Sequence, residues 1–240
     1  ANRELKKFDA AKSAFISLAG HQLRAPLTAI KGYTSMILDG SFGAIQDRMG
    51  EILKRVLVST EQLVRLVAEL LDLSRIEAGR FKYEFTKINL NSVIEEVIKE
   101  VSGTAQKKNL RIEFKNETKG DSDALADKDK MHEVIINFLD NAVKYSDVGP
   151  ILIRLKTLPQ NPTKLLFSVS DNGIGIAKED ISKLFIKFER TDEARKIRPD
   201  GMGLGLYFIK RIIDDHGGKV WVESPGLGKG STFFVELPVA

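Results

Sequence analysis

Four short runs hold the side chains of this sequence that are suited to chemistry. The first is Phe-Ile-Ser-Leu-Ala-Gly-His-Gln-Leu-Arg-Ala-Pro-Leu, Phe15 to Leu27, with an imidazole at His21. Phe8, Phe15, Ala19, Pro26, Ile30, Tyr33 and Ile37 recur at helical spacing, and at 100° per residue His21 lies roughly 140° from the centre of that stripe, on the solvent side. A solvated surface histidine is the plain reading. Pro26 argues against it, because inside a helix it removes the hydrogen bond to the carbonyl of Gln22 at a cost of ~3 kcal/mol. The second run, Asn137 to Tyr145, sets Asn137, Asn141 and Lys144 at i, i+4 and i+7, so two carboxamides and an ammonium share one helix face opposite Val134, Ile135, Phe138 and Leu139. The third, Asp171-Asn172-Gly173-Ile174-Gly175-Ile176, follows a strand-like run. The fourth, Gly201-Met202-Gly203-Leu204-Gly205-Leu206, opens a helix. Glycines ahead of a helix let backbone N–H groups approach a phosphate, whose charge the helix N-terminus favours. Neither glycine run is a Walker A motif and neither has Rossmann spacing.

These runs need a scaffold, and the chain is long enough for one or two cores: 240 residues, 42% hydrophobic. Lys plus Arg number 37 against 33 Asp plus Glu, with the signs interspersed, so the net charge of +4 forms no basic face and nucleic acid is not an expected partner. The longest stretch without a charged residue, Ser13 to Leu23, falls far short of the ~20 residues of a membrane span. With no cysteine there is no disulfide scaffold, thiolate metal site or Cys nucleophile, which suits a cytoplasmic setting. Ala1 to Lys12 is charged and helix-prone and reads as a helix cut partway along, so the chain is expected to be a fragment of something longer.

Texture changes near residue 80, which places a domain boundary there: 1–80 and 81–240. In the first part, helical periodicity with Pro26 as the one internal proline predicts two long helices joined around Asp39 to Gly50, where Gly40, Gly43 and Gly50 interrupt the pattern. Leu53, Val56, Leu57, Leu63, Val64, Val67, Leu70 and Leu71 form a stripe too broad for one neighbour to cover, and pairing of two hairpins into a four-helix bundle covers it. The second part is expected to begin with a short strand or linker, Tyr83–Asn89, with strands at Arg111–Lys115, Ile151–Lys156, Lys164–Ser170, Val220–Glu223 and Thr232–Leu237. Helices are expected at Asn91–Lys108, Lys128–Tyr145, Lys178–Leu184 and Gly203–His216. That order predicts a two-layer α/β sandwich.

Together the four runs make the chain resemble the catalytic core of a sensor histidine kinase over nearly its whole length and in that family's order. His21 lies in what looks like the H box, Asn137 to Tyr145 resembles the N box, and Asp171 to Ile176 the first glycine box. Phe185 to Phe188 resembles the F box, Gly201 to Gly205 the second glycine box, and Leu70 to Gly79 the exit from the second dimerisation helix. The resemblance implies a dimerisation and histidine phosphotransfer domain over 1–80 and a Bergerat-type ATP-binding domain over 81–240. It implies ATP between the N-box helix and a lid from about Arg190 to Gly201, and Mg²⁺ held by Asn137 and Asn141. Lys144, Arg190 and Arg198 would serve the phosphates. Tyr145 would lie against the adenine, Asp171 would accept from its exocyclic amine with Gly173 and Gly175 leaving room for the base, and Gly201, Gly203 and Gly205 would line the phosphate chain. It further implies a homodimer through residues 5–76, autophosphorylation of His21, and transfer to an aspartate on the receiver domain of a separate response regulator. The sensor segment would precede Ala1, and a membrane anchor would lie outside this fragment.

Two alternatives stand beside this reading. GHKL-type hydrolases place a water-activating glutamate one turn before the Mg²⁺-binding asparagine, where this chain has Asn137, with Glu133 a further turn away. A pseudokinase or scaffold that binds ATP without efficient transfer is the other, prompted by two departures. The family usually has Glu or Asp immediately after the phosphoacceptor, and Gln22 stands there. A carboxamide fixes the imidazole tautomer but lacks the charge that stabilises an imidazolium, a difference worth up to ~10²- to 10⁴-fold in rate. Four residues after His21, Ala25 replaces the usual Thr or Asn implicated in dephosphorylating the partner.

Overall fold

A computed structural model of the chain describes residues 2–79, 81–118, 120, 122–158, 161–197 and 201–240, with side chains described for these except 2–18, 21, 161 and 162. The chain divides into two compact units, Ala1–Lys82 and Tyr83–Ala240. No helix among the described residues is long and apolar enough to cross a membrane.

The first unit is a helical hairpin of α1 (Asn2–Leu38) and α2 (Asp47–Glu77). α1 continues through Pro26. The connection turns at Gly40 and Gly43, whose φ angles of 80° and 100° suit glycine. α2 stops where Gly79, at φ 64°, donates its N–H to the carbonyl of Ile76. Antiparallel register is set by small-on-large packing and one exposed ion pair: a Cβ on Gly20 would fall 2.6 Å from the Leu71 side chain, and Lys31 Nζ lies 3.0 Å from Glu61. Thr34 and Thr60 are buried and return their hydroxyls to the carbonyls of Ile30 and Val56. A second apolar stripe, Leu23, Ile30, Tyr33 and Met36 on α1 with Ile52, Val56 and Leu63 on α2, stays exposed within the hairpin.

The second unit layers three helices on a mixed sheet. Strand order is β2 (Arg111–Glu117), β4 (Pro150–Leu158), β5 (Asn161–Asp171), β7 (Ser231–Pro238), β6 (Lys219–Glu223). β2 runs parallel to β4, with Arg111 opposite Pro150, and the other pairs are antiparallel. Alternation along β4 and β7 turns Ile151, Ile153, Leu155, Phe233, Val235 and Leu237 inward, against Ile94 and Val97 of α3 (Leu90–Lys107), Phe138 and Leu139 of α4 (Lys128–Tyr145) and Ile209 and Ile213 of α6 (Gly205–Asp215). A two-stranded ribbon, β1 (Thr86–Asn89) with β3 (Asp123–Ala126), leads into α4. Asp127 caps α4, its Oδ1 accepting the N–H of Lys130 at 3.1 Å, and its Oδ2 accepts the N–H of Glu84 at 2.9 Å.

Three local expectations are corrected. The helix expected at Lys178–Leu184 is a single 3₁₀ turn, Ile181–Lys183, because seven residues without a capping side chain do not recover the nucleation cost. β3 was not expected: Asp-Ala-Leu-Ala lacks β-branched residues, and its small Ala124 and Ala126 are buried beneath the ribbon. A helix, α5 (Asp192–Ile197), rises in the span read as a lid. It has six residues, five of them charged or alanine, and no apolar period to reveal it.

Candidate functional site

The polar face of α4 forms one wall of the site. Asn141 Nδ2 donates to Asn137 Oδ1 at 3.0 Å, and Lys144 Nζ lies 3.3 Å from Asp140 Oδ2. The apolar face of the helix is locked into the core, Phe138 stacking on Phe167 with centroids 6.5 Å apart, so the amides are held outward by packing. The start of α6 abuts them: a Cβ on Gly205 would sit 2.8 Å from Asn137 Nδ2, a close approach that glycine permits.

The second wall is the turn after β5. Asp171 is buried; its Oδ1 accepts the N–H of Gly173 at 2.8 Å and its Oδ2 the hydroxyl of Ser231 at 2.5 Å. Burial pushes its carboxyl up from the ordinary range, while the hydrogen bonds from Ser231 and Gly173 hold it down. The turn is fastened to α4, since Ile174 N–H donates to the carbonyl of Tyr145 at 3.1 Å and a Cβ on Gly173 would lie 2.2 Å from that oxygen. Gly175, at φ 66°, is pressed against the Gly226 carbonyl, which a Cβ would approach to 2.1 Å.

Sequence reasoning missed what closes this turn from below. Gly228 and Gly230 donate to the carbonyls of Ile174 and Gly173 at 2.7 and 3.1 Å, and Ser224 Oγ accepts from Ile176 N–H and donates to Gly230 O. The run Gly226-Leu227-Gly228-Lys229-Gly230-Ser231 was a visible signal, but nothing local says that it folds onto Asp171.

The two ends of the lid meet. Phe188 N–H donates to the carbonyl of Gly203 at 3.1 Å, and Gly203 itself has φ 73°. Arg190, read as a phosphate residue, directs its guanidinium at lid carbonyls, with Nη1 on Gly201 O at 2.8 Å and Nη2 on Ala194 O at 2.9 Å. A cavity of about 220 Å³ beside it is lined by Lys183, Arg190 and Arg195 with Asp180, Glu189 and Asp192, a mixture of signs unlike a phosphate cradle. Arg198 and the side chain of His21 lie outside the described residues. Gln22 and Ala25 are exposed on α1. The site thus brings together Asn137, Asn141 and Gly205, and separately Tyr145, Asp171, Gly173 and Gly175, joined through the last turn of α4. Carboxamides, a lysine and glycine backbone suit a hard cation with phosphate oxygens, and a buried carboxylate at the turn suits an amine-bearing base.

These features define an ATP-binding fold following a helical hairpin, and comparison with known proteins gives the family. Residues 126–240 match the model described as histidine kinase-, DNA gyrase B-, and HSP90-like ATPase, and residues 11–79 match the His Kinase A (phospho-acceptor) domain. The circadian input-output histidine kinase CikA of Synechococcus elongatus is 32% identical over 96% of this chain and 30% of its own length. The sensor histidine kinase WalK of Bacillus subtilis is 32% identical over 98% of this chain and 38% of its own. Among solved structures, the catalytic domain of the histidine kinase ThkA matches with a TM-score of 0.55 at 34% identity, over 65% of this chain and 97% of that one. Full-length ShkA, solved with AMPPNP, shares the fold, with a TM-score of 0.78 at 24% identity over 95% of this chain and 46% of that one. The chain belongs to the histidine kinases and carries the phospho-acceptor and ATPase domains of that family's catalytic core. It spans between 30% and 38% of the length of these curated relatives.

Proposed function

We propose that this core transfers the γ-phosphoryl group of ATP to His21 and then to an aspartate of a separate response regulator. In the first step the bond from the γ-phosphorus to the β,γ-bridging oxygen breaks, a phosphorus–nitrogen bond to the imidazole forms, ADP leaves and the ring gives up a proton. Asp171, oriented by Ser231 and Gly173, receives the adenine amine beside Tyr145, and Lys144 meets the phosphates. Mg²⁺, held by Asn137 and Asn141, supplies neutralisation of phosphate charge when bound. To meet phosphate, Arg190 exchanges the carbonyls of Gly201 and Ala194 for phosphate oxygens. Arg198 and the glycines Gly201, Gly203 and Gly205 complete the phosphate side.

The observation that carries this reading is the meeting of Asn137 with Gly205, which joins the carboxamide face of α4 to a glycine-opened helix end. Transfer rather than hydrolysis is supported by the missing base: Asn137 stands where a hydrolase needs a carboxylate, and Glu133 is paired with Lys130 at 2.7 Å. Of the three histidines, His132 is engaged by Glu100 at 2.8 Å, and His216 is buried between the Ile212 carbonyl and the Asp127 N–H. That leaves His21 as the acceptor, within the segment matching the phospho-acceptor model. The exposed stripe of the hairpin supports a homodimer through residues 5–76. Incubation with Mg²⁺ and γ-labelled ATP tests the proposal: His21→Ala should take up no label, and label in that variant would defeat it.

Gln22 favours a second reading, a core that binds ATP but transfers slowly. Under it, Gln22→Glu should raise the labelling rate by about tenfold or more at unchanged ATP affinity. A slower and less stable variant would instead mark Gln22 as a packing residue.

A further inference from the structure

The last turn of α4 carries Lys144 and Tyr145, yet α4 ends without a glycine cap. Ser146 is already extended, with ψ 142°, as the chain leaves for β4. A helix that ends this way leaves its final carbonyls without backbone partners. The carbonyl of Tyr145 is taken by Ile174 N–H. Those around it are taken by one side chain from another element. Lys108, the residue that ends α3, places its Nζ 2.9 Å from Val143 O, 3.1 Å from Lys144 O and 3.3 Å from Ser146 O, with Asp147 Oδ1 at 3.7 Å. An ammonium has three protons, and three carbonyls receive them. Its charge also lies at the negative end of the α4 dipole.

We propose that Lys108 is a positioning residue for nucleotide binding: it fixes the last turn of α4 so that Tyr145 keeps its placement against the Asp171–Gly175 turn and Lys144 its place on the polar face of the helix. The proposal rests on the nucleotide reading given above. α4 does not need Lys108 in order to form. Its other end is capped by Asp127, and Met131, Val134, Ile135, Phe138, Leu139, Ala142 and Val143 bury it in the core. Lys108 controls the part beyond that core, where the helix meets the turn through the Tyr145–Ile174 hydrogen bond. Losing the ammonium frees three carbonyls that hydrate by shifting outward, and this shift moves the Lys144 backbone and the Tyr145 ring together.

The chain contains no cysteine, so Lys108→Cys creates a unique thiol. Reaction with 2-bromoethylamine joins its sulfur to carbon with loss of bromide and rebuilds a lysine-length side chain ending in an ammonium. Methyl methanethiosulfonate gives a neutral cap instead. Binding of ADP with Mg²⁺ is measured by titration calorimetry on the full chain in each form, with thermal unfolding of the nucleotide-free proteins alongside. The Cys variant should fold and bind ADP about tenfold more weakly, as befits one lost charge-assisted contact at a helix end. Aminoethylation should restore binding to within about twofold, and the neutral cap should not. Equal binding in all forms, or equal rescue by both reagents, would overturn the proposal. So would a Cys variant that does not fold, because Lys108 would then be a folding residue. If the unsubstituted chain binds no ADP, the nucleotide reading fails and takes this proposal with it; unchanged binding among the variants defeats this proposal alone.

Discussion

In the α/β unit, Ile94, Val97, Phe138, Leu139, Ile151, Ile153 and Leu155 are 0% exposed, whereas in the helical hairpin Leu23, Tyr33 and Leu63 keep 50%, 64% and 48% of their surface. A three-helix layer on a five-stranded sheet closes its own core, and Gly173, Gly175, Gly203, Gly218 and Gly230 are wedged against backbone. A two-helix hairpin has one face for its partner helix and a second face left open, and its mid-helix Gly32 has nothing within 4 Å of where a Cβ would stand. The α/β unit closes its core within one chain, while the hairpin leaves an apolar face exposed, the face on which the proposed homodimer rests.

The largest effect that would sharpen this contrast is Gly230→Ala. Gly230 has φ 71°, and a Cβ there would fall 2.0 Å from the backbone oxygen of Asp171. The variant should lose ~3 kcal/mol or more in denaturant unfolding, together with nucleotide binding, by combining a strained backbone with a clash that no side chain can relieve. An unchanged unfolding midpoint would show that the floor of the site is not close-packed.

Next is the open stripe. Leu63→Glu places a charge on the exposed face of α2 without touching the Gly20–Leu71 packing, so it should turn a dimer into a monomer while leaving ADP binding as it was. Light scattering reads the outcome. A particle of 26.7 kDa for the unsubstituted chain at micromolar concentration would break the comparison, because the stripe would then be tolerated in water.

A smaller effect comes from His216. Its Nε2 accepts the Asp127 N–H at 3.1 Å, so the proton sits on Nδ1 and bonds Ile212 O at 2.7 Å, while Tyr83 and Phe85 pack on the ring and Asp127 and Asp215 face it. Burial lowers its pKa below the ordinary 6.5, and the Ile212 carbonyl and the two carboxylates oppose that shift. Below pH 6.5 the unfolded chain binds a proton that the folded chain resists, so this contribution to stability is complete above that pH and falls away as pH drops through it. The melting temperature should decline from pH 7.5 to 5.5 more steeply than in His216→Asn, and parallel curves would remove His216 from the account.

The smallest expected effect is Gly32→Ala on the hairpin, a gain of ~0.5–1 kcal/mol from helix propensity alone. A loss there would put Gly32 inside the contact with the second copy rather than beside it.

Legibility in the sequence followed the same division. α4 could be bounded from Lys128 to Tyr145 because its apolar period is dense and Asp127 is a capping residue, and both glycine boxes announced themselves as local runs. What depends on distant pairing could not be read. Ser231 meets Asp171 across sixty residues of sequence, and Lys108 reaches carbonyls of a helix that starts twenty residues later. Arg190 was assigned to phosphate by its place at the edge of the lid, but its guanidinium geometry follows from lid carbonyls that only the folded chain supplies. The lid helix Asp192–Ile197 has no apolar period to give it away.

The central claim is that the finished unit serves a histidine in the unfinished one, and the chemistry of the labelled bond tests it most directly. After incubation with Mg²⁺ and γ-labelled ATP, the protein is divided between acid and base, and the surviving label is traced to a proteolytic peptide. The account predicts label that is lost in acid, kept in base and carried by the peptide containing His21. Label that survives acid, or that resides on a peptide without His21, would contradict it.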